Sequence, residues 1–313
     1  MIRVRAPSRL HFGMLSLPAD EGSARHFGGV GLMVQEPGVV LAVEPSDTWS
    51  AEGALAERAL GFAKQFSQSL PTQNRFQLHI ERCAPEHAGL GTGTQLGLAV
   101  AKAVALECRQ DIDALELARR VGRGKRSALG IHGFARGGFL VEGGKGPNSD
   151  IAPLLARTDF PEDWKIILVL PHGESGCHGG VEEQAFLNLR SGPRDVLCRL
   201  VLLGMLPALL EVDLPALGEA LYEFNRRVGE MFRPIQGGIY AHLRSAAIVE
   251  FVRGKKIAGV GQSSWGPAIF AVVERDRADS LAGSLREQFG FSTDEVLVTR
   301  ACNIGAEGMR EEG

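Results

Sequence analysis

The 313-residue sequence lacks the features that mark several large classes of protein. Its five cysteines form no Cys-x-x-Cys pair, which argues against a disulfide framework or a thiolate zinc site. No apolar run reaches the roughly 18 to 20 residues of a membrane span, and the first residues lack the apolar core of a secretory signal. A formal net charge of -3 provides no overall field to attract nucleic acid or an anionic membrane. We therefore expect a cytoplasmic protein that contacts neither nucleic acid nor membrane and binds any anion locally.

Hydrophobic residues make up 44% of the chain, and their spacing predicts strands mixed with helices in the first half. A buried helix is expected over residues 96–106, where the sequence is mostly leucine, alanine and valine. The other elements predicted in this half are strands near Ile2–Ala6, Val39–Glu44, Phe76–Arg82 and Phe139–Glu142 and a helix over Leu55–Phe66. Turn-forming residues over 146–164 indicate a boundary, so we expect domains at residues 1–160 and 161–313.

The second half begins with an apolar strand and continues with a helix whose apolar residues step by threes and fours along one face. Its predicted elements are a strand over 165–170, a helix over 213–231, strands over 257–260 and 268–273, a helix over 277–288 and a strand over 295–300. This order suits an open, antiparallel-rich sheet with helices packed on one side. The fold class expected for the whole chain is α+β.

A glycine-rich stretch, "PEHAGLGTGTQLG" at residues 85–97, stands at the start of the predicted buried helix. Glycines at alternate positions, Gly89, Gly91 and Gly93, let backbone N–H groups converge without obstruction by Cβ, and the helix N-terminus adds a partial positive charge. A phosphate is the natural ligand of such a loop. The stretch is neither a Walker loop, since it has no Gly-Lys-Ser/Thr, nor a good dinucleotide fingerprint. A glycine-rich turn without a ligand is the simpler alternative.

The glycine stretch resembles the Pro-x-x-x-Gly-Leu-Gly-Ser-Ser-Ala phosphate loop of the GHMP kinase superfamily. It is joined in the expected order by "APSRLHFGML" near the N-terminus and "GVGQSSWGPAIFAV" near the C-terminus. The stretches "GGVGLM", "GIHGFARGGF" and "FNRRVGEMFRPIQGG" extend the resemblance to one branch of that superfamily, the beta-ribofuranosylaminobenzene 5'-phosphate synthases. The resemblance implies a two-domain GHMP-kinase-like fold, with an N-terminal α/β domain like the second domain of a small-subunit ribosomal protein and a ferredoxin-like α+β C-terminal domain.

This branch implies an enzyme, a phosphoribosyltransferase with coupled decarboxylation. In the implied reaction phosphoribosyl diphosphate donates its ribosyl group to 4-aminobenzoate, with loss of diphosphate and carbon dioxide, in the first committed step of tetrahydromethanopterin biosynthesis. A 4-hydroxybenzoate-like acceptor fits the same residues equally well. The expected metal is Mg²⁺ bound mainly by substrate oxygens, without an organic cofactor, and the expected assembly is a homodimer.

Two departures from the kinase pattern favour this branch. The second serine of the kinase phosphate loop, which helps to hold the magnesium of ATP, is replaced by Gly93, which has no side-chain oxygen. The stretch "ALGIHGFAR" before Gly137 and Gly138 has no carboxylate to serve as the base that many of the kinases place there. An ATP-dependent small-molecule kinase is therefore the second hypothesis, and a noncatalytic ligand-binding relative is the third.

The candidate site residues come from these motifs. We expect catalytic roles for Arg9, His11 and His132, because a histidine beside an arginine can bind phosphate or carry a proton. The expected substrate-binding residues are Gly89, Leu90, Gly91, Thr92, Gly93, Thr94, Gln95, Arg136, Arg226, Ser263, Ser264 and Trp265.

Several of these residues have a structural alternative. The two serines can hydrogen-bond phosphate or carboxylate, whereas Trp265 either stacks on an aromatic ring or fills the core. Arg226 lies at the edge of the apolar stripe of its helix, where a purely structural residue would be unremarkable. The basic residues Arg123, Lys125 and Arg126 form either a solvated helix face or part of the site.

Overall fold

The computed structural model describes residues 1–17, 24–71, 74–172, 189, 192 and 194–311, and the account below concerns these residues. The described chain contains two sheets, each packed against helices, so the predicted α+β class is confirmed. No helix within the described ranges is long and apolar enough to cross a membrane.

The first sheet is built on two long antiparallel strands, β1 (Ile2–Met14) and β2 (Gly29–Ser46). The other strands of this sheet are β3 (Ser50–Gly53), β4 (Arg75–Arg82), β5 (Phe139–Glu142), β6 (Leu154–Thr158) and β11 (Glu307–Arg310). Their order is β11-β1-β2-β4-β3, and β5 pairs with both β2 and β6. The predicted strands are confirmed, but the prediction found only the first part of β1 and the later part of β2, and it did not include β3, β6 or β11. Irregularities in the pairing of β1 with β2 shift the register twice, and such shifts interrupt the alternation on which the prediction relied.

Each sheet with its helices is called a unit, and the first unit contains the first sheet. Its helices are α1 (Ala56–Ser67), α2 (Thr92–Glu107), α3 (Ala114–Arg120) and α4 (Leu129–Arg136). Helix α2 is the central one, and most of its residues are buried because its leucine, alanine and valine side chains pack against the sheet and the other helices. This helix begins four residues earlier than predicted. Gly91, in the left-handed conformation with a φ of +71°, forms its N-cap.

The second sheet has the ferredoxin-like order that the resemblance implied. Its strands are β7 (Trp164–Val169), β8 (Val260–Gln262), β9 (Ile269–Glu274) and β10 (Val296–Arg300), and they lie in the order β10-β7-β9-β8 with every pair antiparallel. The helices of this unit are α5 (Arg194–Leu200), α6 (Leu206–Leu210), α7 (Leu214–Gln236), α8 (Leu243–Gly254) and α9 (Ala278–Phe289). A π-helical segment over Val201–Met205 connects α5 to α6.

The expectation that helices cover only one side of this sheet is wrong. Alternate residues of β7 face opposite cores: Ile167 packs with α8 and α9, whereas Ile166 packs with α7 and with residues of β1. The near-continuous apolar sequence of β7 and β9 is typical of strands that are buried on both faces.

Strand β1 and helix α7 join the two units. Asn225 of α7 donates hydrogen bonds of 2.8 Å to the carbonyl oxygens of Phe12 on β1 and Gln262 on β8. A Cβ at Gly13 would lie 2.5 Å from Val228, so this glycine allows α7 to pack closely on β1. The sheets divide between residues 158 and 164, but β11, from the end of the chain, returns to pair with β1 of the first sheet.

Candidate active site

The glycine stretch forms a loop that ends at the N-terminus of α2. Gly89 and Gly91 have φ values of +83° and +71°, which favour glycine. Among the described residues no side chain caps the N-terminus of α2, whereas Asp113 caps α3 by accepting a 2.8 Å bond from the amide of Glu116. The first amides of an uncapped buried helix are donors for an anionic ligand. The glycine loop and the first amides of α2, together called the anion cradle, therefore have the backbone geometry that phosphate binding requires.

Backbone and hydroxyl contacts hold this loop against the other two motifs. The Leu90 carbonyl accepts a 2.9 Å bond from the Arg9 amide, and the Gly89 carbonyl accepts a 2.7 Å bond from the Ser263 hydroxyl. The same hydroxyl accepts a 3.0 Å bond from the His11 amide. A Cβ on Gly89 would collide with the Ser263 carbonyl. Ser263, which was predicted to bind substrate, is fully buried and uses its hydroxyl to join β1 to the loop.

The hydroxyl groups of the glycine loop are also engaged within the protein. Thr92 donates a 2.7 Å bond to the carbonyl oxygen of Pro85. Thr94 accepts bonds of 3.3 Å from two guanidinium nitrogens of Arg123. The proton of the Thr92 hydroxyl is therefore engaged, whereas the Thr94 hydroxyl, which only accepts, can still donate to an anion beside the backbone amides.

Three arginines surround the start of α2. The Nε atom of Arg9 lies 3.2 Å from the position that a Cβ on Gly91 would occupy, and Nη2 of Arg123 lies 3.3 Å from the corresponding position at Gly93. A Cβ on Gly93 would collide with the guanidinium of Arg58, which extends from α1. The sequence analysis missed Arg58. The sequence feature that could have identified Arg58 is its position one turn before Phe62, which puts a cation at the edge of the buried face of α1.

His11 lies in the interior beside the loop. It is 2% exposed, and burial, with a smaller contribution from the charge of Arg9, holds the pKa of its imidazole well below the usual range. The ring is therefore neutral near pH 7. Its Nε2 atom has no hydrogen-bond partner among the described residues. Buried polar atoms are usually bonded, so this nitrogen is available to a bound molecule.

Glu142 is a fully buried carboxyl group that the sequence analysis did not select. It pairs with Gly29 across β5 and β2, and it accepts a 2.6 Å bond from the amide of Ala128 just before α4. Burial raises the pKa of Glu142 to about 7, although hydrogen bonds and the charge of Arg9 counteract part of that effect. Gln95 connects this region to α2 through a 2.8 Å bond to the carbonyl oxygen of Gly130.

Replacing Glu142 with glutamine is expected to remove a pH-dependent loss of stability. The folded protein holds a proton on Glu142 up to about pH 7, whereas the unfolded chain releases it near pH 4.5, so this group stabilises the fold below pH 4.5 and that stability is lost as the pH rises to about 7. The free energy of unfolding of wild type relative to Glu142→Gln should fall by about 3 kcal/mol across this window.

Urea denaturation at several pH values measures this difference, with the exposed strand variant Glu44→Gln as the control. A constant difference between wild type and Glu142→Gln from pH 4.5 to pH 7 would contradict the assignment.

A small cavity adjoins His11 on the side of the second unit. It is lined by His11, Phe12, Gly13, Met14, Asn225, Val228, Gly229, Phe232, Gln236, Ile239, Gln262, Ser264 and Trp265. Trp265 is 5% exposed and packs on Phe232, with ring centroids 4.4 Å apart. Trp265 is therefore part of the core and also part of the cavity wall. Ser264, half-buried, donates its amide to the carbonyl oxygen of His11 at 2.8 Å.

The structure does not bring three predicted site residues to the glycine loop. His132 bonds the carbonyl oxygen of Ala152 at 2.8 Å through Nε2. Arg136 is exposed in the last turn of α4, whereas it is Gly130 in the first turn that bonds Gln95 of α2. Arg226 forms ion pairs with glutamates of its own helix and lines a different cavity of about 550 Å³. For His132 and Arg136 the short motif identified the segment, but helix geometry turned these side chains away.

The described residues contain no group of three or more His, Cys, Asp or Glu side chains that could hold a metal ion. The described carboxylate of the glycine loop, Glu86, is paired with Arg58. Mg²⁺ on a diphosphate would be held mainly by substrate oxygens and would need few protein ligands. The Mg²⁺ requirement stays a prediction.

Comparisons with known proteins support the fold described above. Residues 55–138 match the GHMP kinases N-terminal domain, and residues 205–290 match the GHMP kinases C-terminal domain. Among solved structures, homoserine kinase from Cytophaga hutchinsonii superposes with a TM-score of 0.68 at 15% identity, covering 98% of this chain and 97% of that one. Mevalonate diphosphate decarboxylase from Staphylococcus aureus superposes with a TM-score of 0.69 at 15% identity, covering 99% of both chains. These likenesses establish the fold.

Relatives with higher sequence identity show to which family within this superfamily the chain belongs. Beta-ribofuranosylphenol 5'-phosphate synthase of Methanothermobacter thermautotrophicus is 34% identical, with 97% of each chain covered. The protein of the same name from Archaeoglobus fulgidus is 30% identical over 98% of this chain and 99% of that one. The chain therefore belongs to the beta-ribofuranosylphenol 5'-phosphate synthase family, a branch of the GHMP kinase superfamily.

Proposed function

We propose that the protein transfers the 5-phosphoribosyl group of phosphoribosyl diphosphate to a para-substituted benzoate, with release of diphosphate and carbon dioxide. The observation that supports this proposal is that His11 lines a small cavity with aromatic walls and is joined to the anion cradle by its amide, through the Ser263 hydroxyl that bonds Gly89. A phosphorylated donor and an aromatic acceptor must meet at such a boundary. The product would enter tetrahydromethanopterin biosynthesis, as the family resemblance implies.

The first half of the proposed reaction is departure of the leaving group. The bond between the anomeric carbon and the diphosphate oxygen breaks, its electron pair goes to the diphosphate, and the ribose acquires oxocarbenium character. The uncapped amides of α2 and the guanidinium of Arg9 face the region where this negative charge develops. When bound, Mg²⁺ would neutralise part of the charge on the same diphosphate. His11, neutral because burial lowers the pKa of its imidazole, is suited to hydrogen bonding.

The second half is substitution on the acceptor. The ring carbon that carries the carboxylate attacks the anomeric carbon, and an electron-donating para substituent supplies the electron density. The bond to the carboxylate then breaks, its electron pair returns to the ring, and carbon dioxide leaves. The three electron pairs therefore end on diphosphate, in the new carbon–carbon bond and in the restored aromatic ring. The acceptor itself serves as the electron sink of this step.

The para substituent can be a hydroxyl or an amine. A 4-hydroxybenzoate acceptor gives a phenol product and a 4-aminobenzoate acceptor gives an aminobenzene product. The sequence analysis expected 4-aminobenzoate, whereas the relatives are named for a phenol product. We therefore infer that 4-hydroxybenzoate is the better acceptor. A homodimer is also part of the proposal, and the exposed side chains of Leu202, Leu203 and Leu210 support it.

Product analysis of the purified protein with Mg²⁺ tests this proposal. One set of tubes contains phosphoribosyl diphosphate with 4-hydroxybenzoate or 4-aminobenzoate labelled in the carboxyl group, and another contains ATP with candidate alcohols. Equal amounts of diphosphate and labelled carbon dioxide are expected in the first set, with the hydroxyl acceptor faster. ADP formation in the second set would support the kinase hypothesis, and no turnover in either set would support a noncatalytic relative.

A further inference from the structure

Two guanidinium groups from different segments converge on Gly93 at the start of α2. Arg58 extends from α1, and Arg123 follows α3. We propose that Arg58 and Arg123 form the site that binds the diphosphate leaving group, together with the first amides of α2. This inference rests on the proposed function, because it assigns the diphosphate of that reaction to two named cations. Neither arginine belongs to the loop motif itself.

The charge balance around Arg123 indicates an anionic ligand. Its pKa is lowered to about 10 by burial first and then by the charges of Arg58 and Arg126. No carboxylate contributes to this shift, and the hydrogen bonds of its guanidinium within the described residues go to the neutral hydroxyl of Thr94 at 3.3 Å. Cations gathered in a desolvated region repel one another. A multivalent anion would relieve that repulsion.

The absence of a side chain at Gly93 leaves room for these two arginine side chains. Its position within the first turn of α2 does not require a left-handed backbone, so an alanine would be compatible with the helix itself. A Cβ there would nevertheless collide with the Arg58 guanidinium and lie 3.3 Å from Nη2 of Arg123. The missing side chain therefore provides space in which the two guanidinium groups approach the helix N-terminus.

Glu86 competes with the proposed ligand for one of the two cations. It lies in the glycine-rich stretch and forms an ion pair with Arg58, and both side chains are about one-third exposed, at 29% and 34%. A diphosphate at Gly93 would take over the guanidinium that Glu86 now holds. Removing the Glu86 charge should therefore strengthen diphosphate binding, which is the opposite of the effect of removing either arginine.

Calorimetric titration with inorganic diphosphate, with and without Mg²⁺, tests the assignment in the full chain. Arg58→Gln and Arg123→Gln should each weaken binding roughly 10- to 100-fold, since each removes a charge-assisted hydrogen-bond donor. Glu86→Gln should strengthen binding severalfold. The matched control is Arg310→Gln, which removes an arginine paired with Glu107 at the other end of α2 and should leave the dissociation constant unchanged.

Wild-type affinity for diphosphate in both Arg58→Gln and Arg123→Gln would overturn the assignment, and so would absence of diphosphate binding to the wild type. If thermal unfolding shows that Arg58→Gln or Arg123→Gln is not folded, Arg123→Lys and Glu86→Gln decide the question. The first should weaken diphosphate binding and the second should strengthen it. Failure of the proposed reaction is a separate result. In that case neither benzoate would be ribosylated while arginine-dependent diphosphate binding persisted.

Discussion

Replacing His11 with alanine is expected to lower kcat on the order of a hundred- to a thousand-fold and to change the Kd of phosphoribosyl diphosphate much less. The reason is that His11 is buried, carries an Nε2 atom without a hydrogen-bond partner in the described chain, lines the small cavity with aromatic walls and is joined to the anion cradle by its amide. A group so placed can interact with charge that develops during bond breaking, whereas ground-state binding of the donor also depends on the α2 amides. Steady-state kinetics and equilibrium titration of the donor measure the two effects separately.

The variant His11→Asn separates hydrogen bonding from proton transfer. Because burial and Arg9 keep the imidazole neutral, we expect hydrogen bonding to suffice and His11→Asn to recover most of the lost turnover. The exposed strand histidine His79, replaced by alanine, is the control. Near-normal turnover in both His11 variants would make His11 a packed structural histidine, and failure of His11→Asn to recover would show that its proton is needed.

Stability measurements check the charge state of His11 independently of activity. The unfolded chain binds a proton at this histidine below about pH 6.5, whereas burial and the charge of Arg9 hold the pKa of the folded imidazole well below that value. The wild type should therefore lose stability at this group as the pH falls through 6.5, and His11→Asn should lose less over the same range. An equal loss in both proteins would show that the folded state accommodates the charged imidazole.

The parts of the site that could be predicted from the sequence are those fixed by local backbone requirements. Gly89 and Gly91 adopt positive φ values, and the loop starts the buried helix that its apolar run predicted. His11 was identifiable from its short strand motif. These features depend on neighbouring residues in the chain, so one sequence contains the information.

The parts that could not be predicted depend on packing between distant segments. Arg58 reaches the loop because α1 packs against α2, and Glu142 is buried because β5 pairs with β2 below the start of α4. Sequence also could not show how a hydroxyl is used. Ser263 looked like a ligand-binding residue, but its position opposite β1 gives its hydroxyl two backbone partners. Trp265 lies in the core, as one of its two interpretations predicted, and it also contributes to the wall of the small cavity; stacking on an aromatic substrate stays a prediction.

Replacing Gly91 with valine is expected to weaken donor binding by a hundredfold or more, as an order of magnitude, while the protein stays folded. Gly91 forms the N-cap of α2 with a φ of +71°, and a Cβ there would lie 3.2 Å from Nε of Arg9. A branched side chain would strain the backbone, displace the arginine and obstruct the approach of a phosphate to the α2 amides. Equilibrium titration with phosphoribosyl diphosphate measures the loss.

The strain itself must be separated from the effect on the cradle, and Gly290 offers a matched control. It ends α9 with a φ of +68°, close to that of Gly91, but a Cβ there would meet nothing within 4 Å. Gly290→Val should therefore cost a similar amount of stability, on the order of 1 to 3 kcal/mol, and leave donor affinity unchanged. If both variants bind the donor as wild type does, the anion is held elsewhere; if both lose affinity equally, general destabilisation accounts for the loss. Loss of affinity in Gly91→Val alone is the result that the uncapped, arginine-flanked start of α2 leads us to expect.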